Sequence, residues 1–276
     1  MIVLRKIFVI LISAAVHPGA SGQSLFYPYT PVNILSARYC QKFHNALVAA
    51  SNPATTTYIH SLEAGVYAGK KYMTDINTLM VAAAMSFDNN GAGLLFQYAG
   101  IPEYSERTVG VFCGKRLGKM NIGIGLNYIN IVARGQGSAR FLQTVVSSIL
   151  NFTDDVATSV RIFNPNFFMS PKENSLRPAS AFSFGFGWQA SPQVYAGIET
   201  LKEEKQSLAV IFNLQYEFTG TISSSLTWST AGNEPQVSIG WKQKAIKIEA
   251  GGGYHAALGV SPFVSFLYQK GKTPEK

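Results

Sequence analysis

The stretch Asn121–Ala133, NIGIGLNYINIVA, obeys a two-residue period. Ile122, Ile124, Leu126 and Tyr128 fall on one face of an extended strand, with Asn121, Gly123, Gly125 and Asn127 on the other. One face is apolar; the other is small or polar. The same alternation returns in altered form along most of the sequence, and a chain made almost entirely of such strands points to a barrel in a membrane.

Working outward, the pattern gives strands at 61–71, 77–87, 91–99 and 107–117 on one side of this stretch. On the other side it gives 138–150, 156–164, 179–189, 193–202, 207–219, 221–229, 236–242, 245–254 and 258–269. Turn signals separate them, among them Asp88-Asn89-Asn90-Gly91, Gly118-Lys119, Asp154-Asp155 and Ser191-Pro192. The segment 138–150 also fits an amphipathic helix, but its β-branched residues favour a strand. The count is about fourteen. Several strands exceed the ~5 to 6 residues usual in globular proteins and match the ~9 to 11 that a tilted strand needs to cross a bilayer. The irregular segment 165–178, with Phe167, Phe168 and Met169, reads as a long loop on an outer rim. Tyr67, Tyr72, Tyr98, Tyr128, Trp188, Tyr195, Tyr216, Trp228, Trp241, Tyr254 and Tyr268 often fall toward strand ends, where interface girdles lie.

Composition agrees. Among 276 residues only 14% are charged, against the ~25% usual in soluble proteins, while aromatics reach 12% and Gly numbers 25. The competing reading is a soluble β-sandwich or lipid-carrier barrel, in which the apolar face of Leu208, Val210, Phe212, Leu214, Tyr216 and Phe218 points inward. Strand number and length favour the membrane barrel.

The one continuous apolar run, Ile7–Val16, follows Arg5-Lys6 and precedes small residues ending in Ala20-Ser21-Gly22. It reads as a secretory signal peptide over 1–22, cleaved before Gln23, and too short to span a bilayer. Removing Arg5 and Lys6 takes the formal charge from +8 to +6. The remaining basic residues are scattered, which argues against nucleic acid. Residues 23–60 differ from the rest: Ala46–Ala50 suits a turn or two of helix that Asn52-Pro53 stops. This gives a compact cap, then a barrel over 61–276. Cys40 and Cys113 form no disulfide framework.

Catalytic constellations are missing. Gly185-Phe-Gly-Trp-Gln-Ala190 matches a dinucleotide-binding spacing but sits in an alternating strand with no helix to follow, so its glycines read as the crowded face of a sheet. Gly251-Gly252-Gly253 lacks the lysine of a phosphate loop. His44, His60 and His255 have no metal-ligand spacing, and Asp154-Asp155 reads as a solvated turn. The sequon at Asn151-Phe152-Thr153 carries no weight in a bacterial barrel. No enzyme activity, cofactor or metal is expected.

The segment before the first strands carries a resemblance. Ser36-Ala37-Arg38, then Ala46–Ala50, then Asn52-Pro53-Ala54 leading into Gly-rich alternating strands resembles the N-terminal signature of the FadL superfamily of outer-membrane barrels, especially its PorV/PorQ-like branch in Bacteroidota. The resemblance implies a fourteen-strand barrel in the outer membrane, with an N-terminal plug or cap marked here by Ser36, Arg38, Asn52 and Pro53. A glycine pair usual in that plug is replaced by Cys40-Gln41-Lys42-Phe43-His44, and the chain is short for the family. Two roles follow. One is a component of a multi-protein outer-membrane complex for protein secretion or outer-membrane protein assembly, in contact with lipid and with other outer-membrane or periplasmic proteins. The alternative is transport of a hydrophobic small molecule. Inward faces of Gly, Ser, Asn and Gln, with no apolar pocket among them, favour the first.

Overall fold

A computed structural model describes residues 39–40, 42–135, 137–165, 179–204 and 206–270. The expected signal peptide, Ser36, Arg38 and the aromatic run 167–169 lie outside the described residues. Fourteen antiparallel strands close into one barrel in sequence order. They are β1 Leu62–Lys70, β2 Asn77–Phe87, β3 Asn90–Gly100, β4 Tyr104–Leu117, β5 Met120–Ala133, β6 Gly137–Asn151 and β7 Val156–Phe163. They continue as β8 Ala181–Ser191, β9 Val194–Glu203, β10 Ala209–Glu217, β11 Ile222–Ser229, β12 Gln236–Gln243, β13 Ile246–His255 and β14 Gly259–Gln269. The last pairs with the first, from Glu63↔Gln269 to Gly69↔Phe263, so no edge remains.

Every strand expected from the period has its counterpart, including β6, where Val145, Val146 and Ile149 favour the pleated surface over a helix. The connections divide by rim. Those at 88–89, 118–119, 152–155, 192–193, 218–221 and 244–245 are tight and lie at the end that also holds Leu62 and Gln269. Asp88, Gly118 and Lys244 supply the positive φ that such turns require. We call this end the turn rim and the opposite end the loop rim.

Side-chain direction decides between membrane and soluble barrel. Ile122, Ile124, Leu126 and Tyr128 are exposed on the outside, while Asn121 and Asn127 are buried within. Phe182, Phe184, Phe186 and Trp188 likewise face out opposite buried Ser183. On β10, Leu214 and Tyr216 are outside while Asn213 and Gln215 are inside. A soluble carrier would reverse this. Here Ile239 is 65% exposed and Glu199 is 0% exposed, the arrangement of a wall solvated by lipid. Trp188, Tyr216, Trp241 and Tyr268 ring the outside near the turn rim, and Tyr98, Trp228 and Tyr254 ring it near the loop rim. Tyr67 and Tyr195 depart from the expected girdle: both sit on inward positions and are buried, because strand parity overrides closeness to a strand end.

The inward face is also less polar than its small residues suggest. Met80, Leu95, Phe112, Phe263 and Leu267 form one buried cluster inside the barrel, and Val145, Phe163, Ala181, Leu201 and Ala209 form another. The first is on the wall of β2–β4 and β14. The second, on β6–β10, lies mainly toward the loop rim.

Leu126 stands mid-strand on the outer face of β5. Leu126→Arg is expected to destabilise the barrel by about 2–4 kcal/mol, read as a shift in urea unfolding in lipid vesicles. A shift no larger than that of Leu126→Ala would show that this face does not meet hydrocarbon.

Candidate functional site

The site is the lumen, and its geometry follows from the chain that enters it. Helix α1, Ala46–Ser51, starts at Asn45, whose side chain accepts a hydrogen bond from Val48 N at 3.0 Å. Asn52-Pro53 ends it, since the residue before proline avoids the α region. Pro53 then opens a 3-10 helix, Pro53–Tyr58, tightened by Thr55, Thr56 and Thr57, whose hydroxyls each donate to the carbonyl three residues back. A helix of six residues is not stable alone. It persists because every residue in it is buried. Ala46, Leu47, Ala49, Ala50 and Ile59 complete the apolar cluster of Tyr67, Met80, Leu95, Phe112, Phe263 and Leu267 on the inner wall.

The wall is shaped to this segment by a row of paired residues. Gly91 pairs with Gly114, Gly114 with Gly123, Gly123 with Ser147, Ser147 with Arg161, and Arg161 with Ser183. All face inward. A methyl group at Gly91 would stand 2.7 Å from the Thr56 carbonyl oxygen, one at Gly114 2.7 Å from the Pro53 oxygen, and one at Gly123 would overlap the Pro53–Ala54 peptide. The glycines let the Asn-Pro-Ala step lie against bare backbone. Where they end, hydrogen bonds begin: Ala54 N donates to Ser147 Oγ at 2.9 Å, and Asn52 Nδ2 donates to Ser159 Oγ at 3.1 Å.

Arg161 is the strongest holding point. It is 1% exposed. Its guanidinium donates to Ser183 Oγ and to the Ser51 carbonyl, each at 3.1 Å, and is ion-paired with Glu199. The other Glu199 oxygen accepts from the Tyr39 hydroxyl, and Tyr39 N donates to the Tyr195 hydroxyl at 2.8 Å. Burial first, and then the Glu199 carboxylate, hold the Tyr39 phenol well above its usual range, so it remains a neutral donor. Gly185 makes room for the Tyr39 ring. Farther along, the Tyr58 hydroxyl donates to Asn151 Oδ1 at 2.8 Å, its phenol pushed up to about 12 mainly by burial, and Arg116 donates to the Thr57 carbonyl at 2.7 Å. Lys42 pairs with Glu217 at 3.1 Å. His44 Nε2 lies 3.6 Å from Glu63 Oε1, both side chains buried.

Of the motif residues read from sequence, Asn52 and Pro53 meet at one place: Asn52 on β7, Pro53 on the glycines of β5. Ser36 and Arg38 lie outside the described residues. The sequence reading missed Tyr39, Arg161 and Glu199. A signal existed, since Arg161 and Glu199 are charges at inward positions of membrane-spanning strands, where charge is costly and seldom incidental. The remaining candidates behave as ordinary structure. Asp154 and Asp155 are exposed in a turn, Cys40 is buried while Cys113 is exposed, and among the described residues no group of three or more His, Cys, Asp or Glu is placed to hold a metal. The arrangement fixes a chain segment in place.

No protein-family model and no curated protein sequence matches the chain. Its fold is similar to solved structures. The Acinetobacter baumannii outer membrane protein Omp33 aligns with TM-score 0.52 at 9% identity, over 76% of this chain and 98% of that one. The CymD monoaromatic hydrocarbon channel aligns with TM-score 0.58 at 9% identity, over 82% and 93%. These likenesses show the fold, an outer-membrane-type β-barrel.

Gly123→Ala is expected to unseat the inner segment at a cost of about 1–3 kcal/mol, seen as faster proteolysis within residues 42–60 of a folded barrel. Gly220→Ala, where nothing lies within 4 Å, serves as the silent control. Equal proteolysis of the two variants would contradict the fit. Arg161→Met alone leaves Glu199 buried and uncompensated, and is expected to cost about 3–5 kcal/mol. Arg161→Met with Glu199→Gln should recover part of that loss in the same unfolding measurement.

Proposed function

We propose that the protein is a non-enzymatic, integral outer-membrane β-barrel of the channel-forming class, kept shut by its N-terminal segment acting as a plug. The observation that carries this is the fit of Pro53, Ala54 and Thr56 onto the row Gly91, Gly114 and Gly123, backed by the Arg161–Glu199–Tyr39 network. A segment held by both shape and buried charge belongs to the resting fold. The tight turns at one rim support placing that rim in the periplasm.

In the finer reading, the shut barrel is a component of a multi-protein outer-membrane complex, serving protein secretion or outer-membrane protein assembly. The resemblance of Ser36-Ala37-Arg38 and Asn52-Pro53-Ala54 to the PorV/PorQ-like branch of the FadL superfamily supports this role, as does a lumen whose apolar wall on β1–β4 and β14 is consumed by α1. A second reading, transport of hydrophobic small molecules across the outer membrane, is favoured by the inward cluster Val145, Phe163, Ala181, Leu201 and Ala209, which α1 and Ile59 do not join. CymD is itself a monoaromatic hydrocarbon channel.

Planar-bilayer recordings separate these. The wild-type barrel is expected to be silent, with stepwise conductance appearing in a variant lacking residues 39–58. A wild-type barrel that conducts freely would refute the shut state. Copurification from detergent-solubilised membranes then distinguishes the finer readings: constant partner proteins support the complex, and a solitary barrel carrying bound fatty acid supports transport.

A further inference from the structure

On the outer wall the apolar surface has a hollow. On β2–β4 three outward positions in the turn-rim half carry short side chains, Ala83, Ala92 and Cys113, while Met85, Leu94 and Ile124 stand around them. The hollow has a volume of about 520 Å³. This lies within the ~300–1,000 Å³ of pockets that hold a small ligand. Its lining is almost entirely hydrocarbon, and because it opens on the lipid-facing side, leaving it empty would forfeit dispersion contacts along its whole floor.

One row nearer the turn rim the chemistry changes. There the outward residues are Phe87, Asn90, Lys115 and Ile122, paired across β2–β5. Lys115 is two residues from Cys113 on the same strand, a distance of about 7 Å in extended chain. It is exposed and forms no ion pair among the described residues. The adjoining turns carry Asp88 and Lys119, so the local balance stays cationic. An apolar hollow followed at once by an unpaired ammonium group near the membrane boundary matches a molecule with a long hydrocarbon tail and an anionic head. The lysine stem reaches along the apolar surface while its charge meets the head.

We infer that this hollow, with Lys115 at its edge, binds one anionic glycerophospholipid from the leaflet at the turn rim, its acyl chain over Ala92 and its phosphate on Lys115. The site lies outside the lumen and is independent of whether the plug opens.

Native mass spectrometry of the full-length detergent-purified protein tests it, with phosphatidylglycerol and phosphatidylcholine of matched chains titrated separately. Wild type should retain one phosphatidylglycerol about tenfold more tightly than phosphatidylcholine, the scale of one charge-assisted contact. Lys115→Gln should erase that headgroup preference. Ala92→Leu, which fills the hollow, should weaken both lipids while the folded barrel keeps its heat-dependent gel mobility. Equal retention of the two lipids by wild type would overturn the proposal, as would a Lys115→Gln variant that keeps the preference; the latter comparison stands even if Ala92→Leu fails to fold.

Discussion

A bilayer interior offers no water to an unpaired backbone N–H or C=O, and the pairing of β1 with β14 answers that demand. With the seam closed, every strand has two neighbours and every side chain has one of two destinations. The outward rows must then be apolar, and the inward rows are released from that requirement. This is why Arg161 and Glu199 can stand in strands at all: they are inside a wall whose outside is Phe182, Phe184 and Ile198. Closure also creates a second demand. Eight strands leave an interior that side chains can just fill; fourteen leave more, and here residues 42–60 occupy part of it.

The inner segment meets that interior in two ways. Against β1–β5 it is held mainly by shape, with Leu47 beside Gly65, Thr56 beside Gly91 and Pro53 beside Gly123, and Arg116 adds a hydrogen bond to the Thr57 carbonyl. Against β6–β9 it is held by directed groups, Ser147, Ser159, Arg161 and Glu199. The steric half tolerates no added atom but has little preference for angle. The polar half fixes orientation, and its buried ion pair contributes more to defining one arrangement than to net stability, since desolvating two charges offsets most of their attraction.

Much of the barrel was legible because strand side chains alternate by geometry, so a period of two in the sequence is a period of two in space. That is why the fourteen elements, and the ambiguous β6 among them, could be read with boundaries shifted by only a few residues. The period alone does not say which face is outside. Leu214 and Asn213 alternate equally well in a soluble sheet, and Tyr67 and Tyr195 sit near strand ends yet point inward. The helix α1 and its stop at Asn52-Pro53 were readable from local chemistry. The seat was not: Gly91, Gly114 and Gly123 look like three unrelated strand glycines until the register of β3, β4 and β5 aligns them. The same holds for the inward Met80 and Phe112, whose neighbours are set by pairing and not by sequence.

The aligned glycines bear on the order in which the molecule can be put together. Their strands are the third, fourth and fifth, joined by short connections and close in sequence to Pro53, so the seat needs only the early hairpins. The Arg161 and Glu199 attachments bridge 110 residues to Ser51 and 160 to Tyr39. In an assembly that follows the chain, the inner segment would settle on the first hairpins before the later wall exists. It would then serve as a form around which the remaining strands curve, and the β1–β14 seam, which joins the most distant strands of the chain, would be among the last bonds made.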